Sequence, residues 1–347
     1  MKRIYFLILI AAVLTSLYSC EKEDKLRDES VVTIQKVYQN DLDKWIYENL
    51  TKPYNVEIKY KWDANEITNK FRVTPPSMEK TKEFLEAYLN LWIKPYEEES
   101  KAGGNPDFLY KYMPKLIVLV GTPAYNEDGT ATMGLAEGGR KVTIFDIDNF
   151  GFADIKPTDT PDKVLQKKRN VLYRAFHVLH HEFAHIMHQT KFYPDEFKEI
   201  SKVDYTARWM DLNDAEAQTK GCITPYSLSN ENEDFVEIVA GMIDRSRYSN
   251  VPYTTEWPLK DAKGEFTNKM GNITGSEWEH FLYSYMLDYK FDEKWNMVYF
   301  RAPEATVGYH KFLHKVDIVT SYYKEKWGVD LYSLQKRIDK AITSFVK

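Results

Sequence analysis

The sequence predicts an α+β fold in which short strands gather ahead of one long helix and a mostly helical half follows it. Three observations carry this reading. Residues 162–189 contain no Gly or Pro and place Val164, Leu165, Val171, Leu172, Ala175, Phe176, Val178 and Leu179 in the pattern of a long, substantially buried helix. Three strand-like stretches, 55–62, 115–120 and 141–147, all precede it. Beyond Glu237 the apolar spacing is helical over 276–289, 310–327 and 331–346, with Gly328 as a stop before the last.

The elements follow in chain order. Met1-Lys2-Arg3 is a basic head, and Ile4 to Val13 is apolar apart from Tyr5, too short to span a membrane but of the length of a signal peptide. It ends in Leu17-Tyr18-Ser19-Cys20, which resembles a bacterial lipobox and implies an acylated Cys20 after removal of residues 1–19. Tyr18 departs from the small residue usual there. Glu21-Lys22-Glu23-Asp24 opens a charged tether over 20–35 and resembles the surface-export signal of Bacteroidetes lipoproteins; a plain solvated linker is the other reading. The folded part is expected to be 36–347, with an α/β lobe to about residue 190 and a helical lobe after it.

Within that lobe, 40–50 reads as a helix and 55–62 as a strand with Val56, Ile58 and Tyr60 alternating. Residues 77–96 read as a helix with Phe84, Leu85, Tyr88, Leu91 and Trp92 inward. Strands at 115–120 and 141–147 flank a Gly-rich connection from Gly121 to Gly139, marked as loop or hairpin by Asp128-Gly129 and Gly138-Gly139. Lys141 to Ile147 is the candidate edge strand. Thr160 then caps the long helix, with Pro161 at its first position.

That helix carries His181-Glu182-Phe183-Ala184-His185. Two imidazoles one turn apart share a face and can both grip a metal ion, and the Glu beside the first can reach a water in the open coordination position. The chain has only eight His, so such a run is informative. A catalytic zinc site needs a third protein ligand. His188 is a poor one, because a helix cannot easily aim residues spanning i to i+7 at one small ion; a substrate contact is its other use. His177 and His180 read as packing or hydrogen-bonding residues. Downstream, Asn230 opens a helix with Phe235, Ile238, Val239 and Met242 inward, and Glu233 stands either as the closing residue of a capping box or as a ligand.

The two motifs together resemble the gluzincin branch of the zincin metallopeptidases, in which a downstream helix supplies a Glu ligand and an acidic residue four positions on. Glu233 and Glu237 have that spacing. The run Tyr226 to Glu237 is also similar to the corresponding segment of the anthrax lethal factor catalytic domain. The resemblance implies Glu233 as third ligand, Glu237 as partner of His181, and Tyr226 as the hydroxyl that meets the transition state; Tyr205 is a weaker candidate for that task. It also implies the fold class: α+β, zincin-like, a small mixed sheet packed on the long active-site helix, followed by a mostly helical C-terminal lobe. The metzincin branch does not fit, since His188 and Lys191 stand where it needs Gly and a third His. As a whole the chain resembles the import-associated zinc metallohydrolase lipoproteins of Bacteroidetes, which implies an outer-membrane, cell-surface location beside a nutrient-import complex.

The expected activity is a zinc metallopeptidase with one Zn2+ per chain, acting on a peptide or protein through a water activated by Glu182. The alternatives are an amidase on non-peptide substrates and a non-catalytic, zinc-stabilised accessory of the import system. A net charge of −5 and a pI near 6.0 exclude the basic stripe of a nucleic-acid binder. With Cys20 acylated, Cys222 is left without a disulfide partner, and nothing near it in sequence suits a nucleophile. Lys163, Lys167, Lys168 and Arg169 read as the solvated side of the long helix.

Overall fold

Capping side chains set the starts of the helices that build the site. A computed structural model describes residues 38–346 apart from 63, 69, 127–130, 138–139, 153–154, 246–256 and 272–274. The leader, Cys20, the whole 20–35 tether, and Asp128-Gly129 and Gly138-Gly139 of the 121–139 connection therefore lie outside the described residues. Asn40 accepts from the Asp43 amide to open α1, residues 41–54, and Ser77 accepts from the Lys80 amide to open α2, residues 78–102. Both helices contain a proline, Pro53 and Pro95, which has no N–H for the preceding turn. Each helix widens into a π-type turn just before it, over Tyr47–Thr51 and Leu89–Ile93, and continues.

Between and after these helices come β1 (Glu57–Lys59), α3 (Phe108–Tyr112), β2 (Leu116–Leu119), the short pair β3 (Ala124–Tyr125) and β4 (Ala131–Thr132), then β5 (Gly134–Glu137) and β6 (Lys141–Ile144). One sheet has the order β1-β2-β6-β5, with β1, β2 and β6 parallel and β5 antiparallel to β6. The expected edge strand at 141–147 is thus an interior one. Val142, Thr143 and Ile144 are buried in succession, the mark of a strand covered on both faces. The edge is β5, and it lies directly on the long helix: a Cβ on Gly134 would stand 2.1 Å from Val178 Cγ1.

That helix, α4 (Pro161–Thr190), starts as expected, Thr160 capping and Pro161 at the first turn. Leu172, Phe176, Leu179, Phe183 and Met187 form its buried stripe, and Phe183 meets Trp92, Tyr96 and Phe108 at ring separations of 4.9, 5.4 and 5.7 Å. The basic cluster is less solvated than its composition suggests. Arg169 is buried in an ion pair with Asp339 at 2.9 Å, and Lys163 and Lys167 both reach Asp159.

The second half holds α5 (Glu196–Ile200), α6 (Asp214–Thr219), α7 (Glu231–Asp244), a hairpin of β7 (Trp257–Lys260) and β8 (Phe266–Gly271), α8 (Glu277–Ser284), a hairpin of β9 (Asp288–Phe291) and β10 (Met297–Phe300), α9 (residues 303–327) and α10 (Leu331–Phe345). The two hairpins interrupt the expected helical run. The helix expected over 276–289 stops at Ser284, because Asp292 accepts from the Lys294 and Asn296 amides and folds its flanks into β9 and β10. Gly328 ends α9 at φ 68°, and it faces Gly103 so closely that a Cβ there would stand 1.8 Å from the Gly328 carbonyl oxygen. The mixed α+β character with small sheets matches expectation. Among the described residues no helix is long and apolar enough to cross a membrane.

Candidate metal centre

The centre forms where α4 packs on α7. Asn230 accepts from the Asn232 and Glu233 amides and so starts α7 with Glu233 in its first turn. At α6 and α8 the equivalent Glu bonds back to the cap and closes a capping box. Glu233 instead turns its carboxylate toward α4. Its Oε2 lies 3.1 Å from His181 Nε2 and 3.4 Å from His185 Nε2, buried and without a hydrogen bond.

Those distances test whether a metal fits. A tetrahedral zinc with arms of about 2.0–2.1 Å has ligand–ligand edges of about 3.3–3.4 Å. Two imidazole nitrogens and one carboxylate oxygen, all within 4.8 Å of one another, are a zinc-type donor set at that spacing. A second grouping, His177, His181 and Glu237, is equally compact. It is already satisfied by hydrogen bonds: His181 Nδ1 and Glu237 Oε1 stand 3.0 Å apart, and Glu237 Oε2 accepts from the Thr224 hydroxyl at 3.0 Å. Only the first grouping leaves a buried oxygen that needs a cation.

Each imidazole of the first set is fixed from behind. His181 has Glu237 at Nδ1, and His185 has His188 Nε2 at 3.0 Å from its Nδ1. Glu237 is held in turn by Thr224 and by His177, whose Nε2 is 3.3 Å away and whose Nδ1 bonds Asp244. Burial opposes the Glu237 charge, but His177 and His181 hold its carboxyl well below the usual range. Burial likewise works against a charged His177, yet Asp244 and Glu237 raise it to about 10. His188 goes the other way: burial, aided by the nearby His185, lowers it to about 4, leaving a neutral ring.

Burial opposes charge on His181, but the neighbouring carboxylates of Glu233 and Glu237 raise it from 6.5 to about 9. A raised pKa stabilises the metal-free fold fully below about 6.5, and this contribution is lost as pH rises through about 9. Zinc must displace the same proton, so its affinity is expected to climb about tenfold per pH unit across this window. Calorimetry at neutral pH in buffers of different ionisation enthalpy should register about one proton released from His181 per zinc bound. No release would mean that the site is already deprotonated.

The centre opens on a cleft of about 970 Å3. Ala131, Thr132, Met133 and Gly134 line one side, Trp209, Met210 and Leu212 the other, and His177, Val178, His181 and Glu182 lie along α4. Glu182 is largely buried beneath β5, where a Cβ on Gly134 would stand 3.5 Å from its Oε1. Tyr226, in a single helical turn at Tyr226–Leu228, stacks on His181 at 6.0 Å and is braced by Trp209 at 5.0 Å. Burial and then the Glu233 charge push its hydroxyl up, so it stays a donor. Tyr205 is a correction: its hydroxyl donates to Asp234 Oδ2 at 2.9 Å, so it is committed to a different carboxylate. Cys222 is buried beside Lys315 and its thiol is raised by burial, which fits no nucleophile.

The structure therefore brings His181, Glu182, His185, Glu233, Glu237 and Tyr226 to one place, and adds His177, Asp244, Thr224 and His188. His177 had one signal in the sequence, its position four residues before His181 on the same helix face. His188 had a similar one, three residues after His185; Asp244 and Thr224 had none.

Comparison with known proteins gives a zinc-binding family. A family model described as "Putative zinc-binding metallo-peptidase" matches residues 35–332, and the chain belongs to that family. A crystal structure described in the same words, from Bacteroides caccae, is similar at a TM-score of 0.55 and 26% identity, covering 87% of this chain and 92% of that one. No match was found among curated proteins.

Proposed function

We propose that this member of the zinc-binding metallo-peptidase family is a gluzincin-type, zincin-fold peptidase that hydrolyses peptide bonds while tethered to a membrane through Cys20. The observation that supports the metal reading best is Glu233 Oε2, buried and unbonded 3.1 and 3.4 Å from two imidazole nitrogens. His181, His185 and Glu233 would hold one zinc ion, and when bound it would supply Lewis acidity, lowering the pKa of a water to about 7. Glu182, beside His181 at the cleft, would hold the proton given up by the attacking water. Tyr226, fixed between His181 and Trp209 before reaction, donates its hydroxyl to the developing oxyanion. Strand β5 ends its sheet over Glu182 and offers its backbone to an extended substrate. The cleft of about 970 Å3 has room for an extended substrate segment.

The metal set is tested by zinc content. The purified chain is expected to carry one zinc, His181→Ala and His185→Ala to lose it, and Glu233→Ala to weaken it much more than Glu237→Ala. Full zinc in His185→Ala would sink the site, and the reverse order of the two Glu variants would move the ligand to Glu237. Peptide-library cleavage should stop on chelation and return with added zinc.

The location proposed is the outer membrane, with an exposed face beside a nutrient-import complex; the lipobox-like Leu17-Tyr18-Ser19-Cys20 supports the anchor, Lys22-Glu23-Asp24 the exposure, and the resemblance to import-associated lipoproteins the setting. Cys20→Ser is expected to move the protein into the soluble fraction, because the anchor is a lipid. Neutral residues in place of Lys22-Glu23-Asp24 should lower surface labelling and leave membrane association unchanged. A Ser variant that still pellets after washing has another anchor.

A further inference from the structure

We infer that His188 is a positioning residue, the hydrogen-bond acceptor that orients His185 toward the metal. The inference rests on the metal set proposed above and concerns a residue outside it. An imidazole that offers Nε2 to a metal must carry its proton on Nδ1. His185 Nε2 faces Glu233, and its Nδ1 stands 3.0 Å from His188 Nε2. His185 is then the donor, and His188 accepts with its own proton on Nδ1. With Nε2 engaged in that bond, His188 is not a further ligand.

The ring is held where this bond requires it. Tyr193 and Phe235 pack on it at 5.6 and 6.1 Å, in tilted and edge-on contacts. Tyr193 stacks flat on Phe235 at 4.4 Å and donates its hydroxyl to Asn232 Oδ1 at 2.7 Å. Asn232 and Phe235 flank Glu233 and Asp234 on α7. One aromatic cluster thus fixes both the rotation of His185 and the approach of Glu233 to it.

The two imidazole ligands end up with different supports. His181 donates to a carboxylate, whereas His185 donates to a neutral ring. A neutral acceptor adds less electron density to its ligand than a carboxylate does, so His185 is the weaker donor of the pair.

The test is zinc affinity of the full chain, measured by competition with a chromophoric chelator. His188→Leu keeps the bulk against Phe235 and removes the acceptor; it is expected to retain one zinc and to bind it about 10- to 100-fold more weakly. His188→Gln restores an acceptor and is expected to recover most of that loss. An unchanged affinity in the Leu variant overturns the inference, and so does a Gln variant no better than Leu at equal melting temperature. If the Leu variant does not fold, long-range 1H–15N spectra of the zinc-loaded wild type decide. A protonated Nδ1 on His185, exchanging slowly and bonded to His188 Nε2, is the expected signature; a bare Nδ1, or a metal-bound His188, overturns it. Failure of the metal set itself reads differently, as stoichiometric zinc in His185→Ala.

Discussion

Glu182→Gln is expected to keep zinc and lose hydrolysis by roughly 100- to 10,000-fold, the usual contribution of a positioned general base. The amide has the shape of the carboxylate but cannot accept a proton from the attacking water. Nothing else in the centre should move, because Glu182 is not in the donor set of His181, His185 and Glu233. Its burial under β5 leaves little room for a replacement base to swing in. Wild type and variant are compared on one peptide library, with zinc content, zinc affinity and melting temperature measured in parallel. Near-wild-type cleavage by Glu182→Gln would remove Glu182 from the mechanism. If wild type cleaves nothing and the Gln variant fully rescues a gene deletion, the protein is a zinc-stabilised accessory instead of an enzyme.

What the sequence revealed was local. Thr160, Pro161 and an uninterrupted apolar stripe define α4, and the motif residues fall on one face of it by helical periodicity alone. Asn230 likewise marks the start of α7. Glu233 had two readings, and choosing between them needed the packing of α7 on α4, which no spacing encodes. Strand β5 was hidden because Gly134-Leu135-Ala136-Glu137 has neither β-branched residues nor strict alternation; it is a strand because β6 pairs with it and α4 supports it. The start of β9, Asp288 and Tyr289, reads as helix tail because the hairpin's turn is fixed by the Asp292 side chain and not by a Gly pair. His177 and Asp244 are 67 positions apart, so their bond exists only in the folded chain. The resemblance pointed to Tyr226 with Tyr205 as the weaker candidate, and of the two only Tyr226 faces the cleft.

Behind Glu233 lies the interaction with the largest expected effect on stability. Lys315 on α9 is fully buried, and its Nζ donates to Asp234 Oδ2 at 2.5 Å and to the Gly221 carbonyl at 2.9 Å, with Cys222 Sγ at 3.5 Å. Burial works against the Lys315 charge, but Asp234 beside it carries its pKa above the ordinary lysine value. Asp234 also accepts from Tyr205. Removing one partner leaves the other charge buried without compensation, so Lys315→Met is expected to cost about 3–5 kcal/mol. Replacing both partners with apolar residues, Lys315→Met with Asp234→Leu, should recover much of that, because no charge then remains out of water. Urea unfolding with zinc chelated away isolates the effect from metal linkage. Because Asp234 is the next residue after Glu233, Lys315→Met should also weaken zinc binding, through a loosened first turn of α7 and not through any lost ligand. A loss below about 1 kcal/mol would place the pair among weakly contributing ion pairs, and an unchanged zinc affinity would separate the anchor from the site.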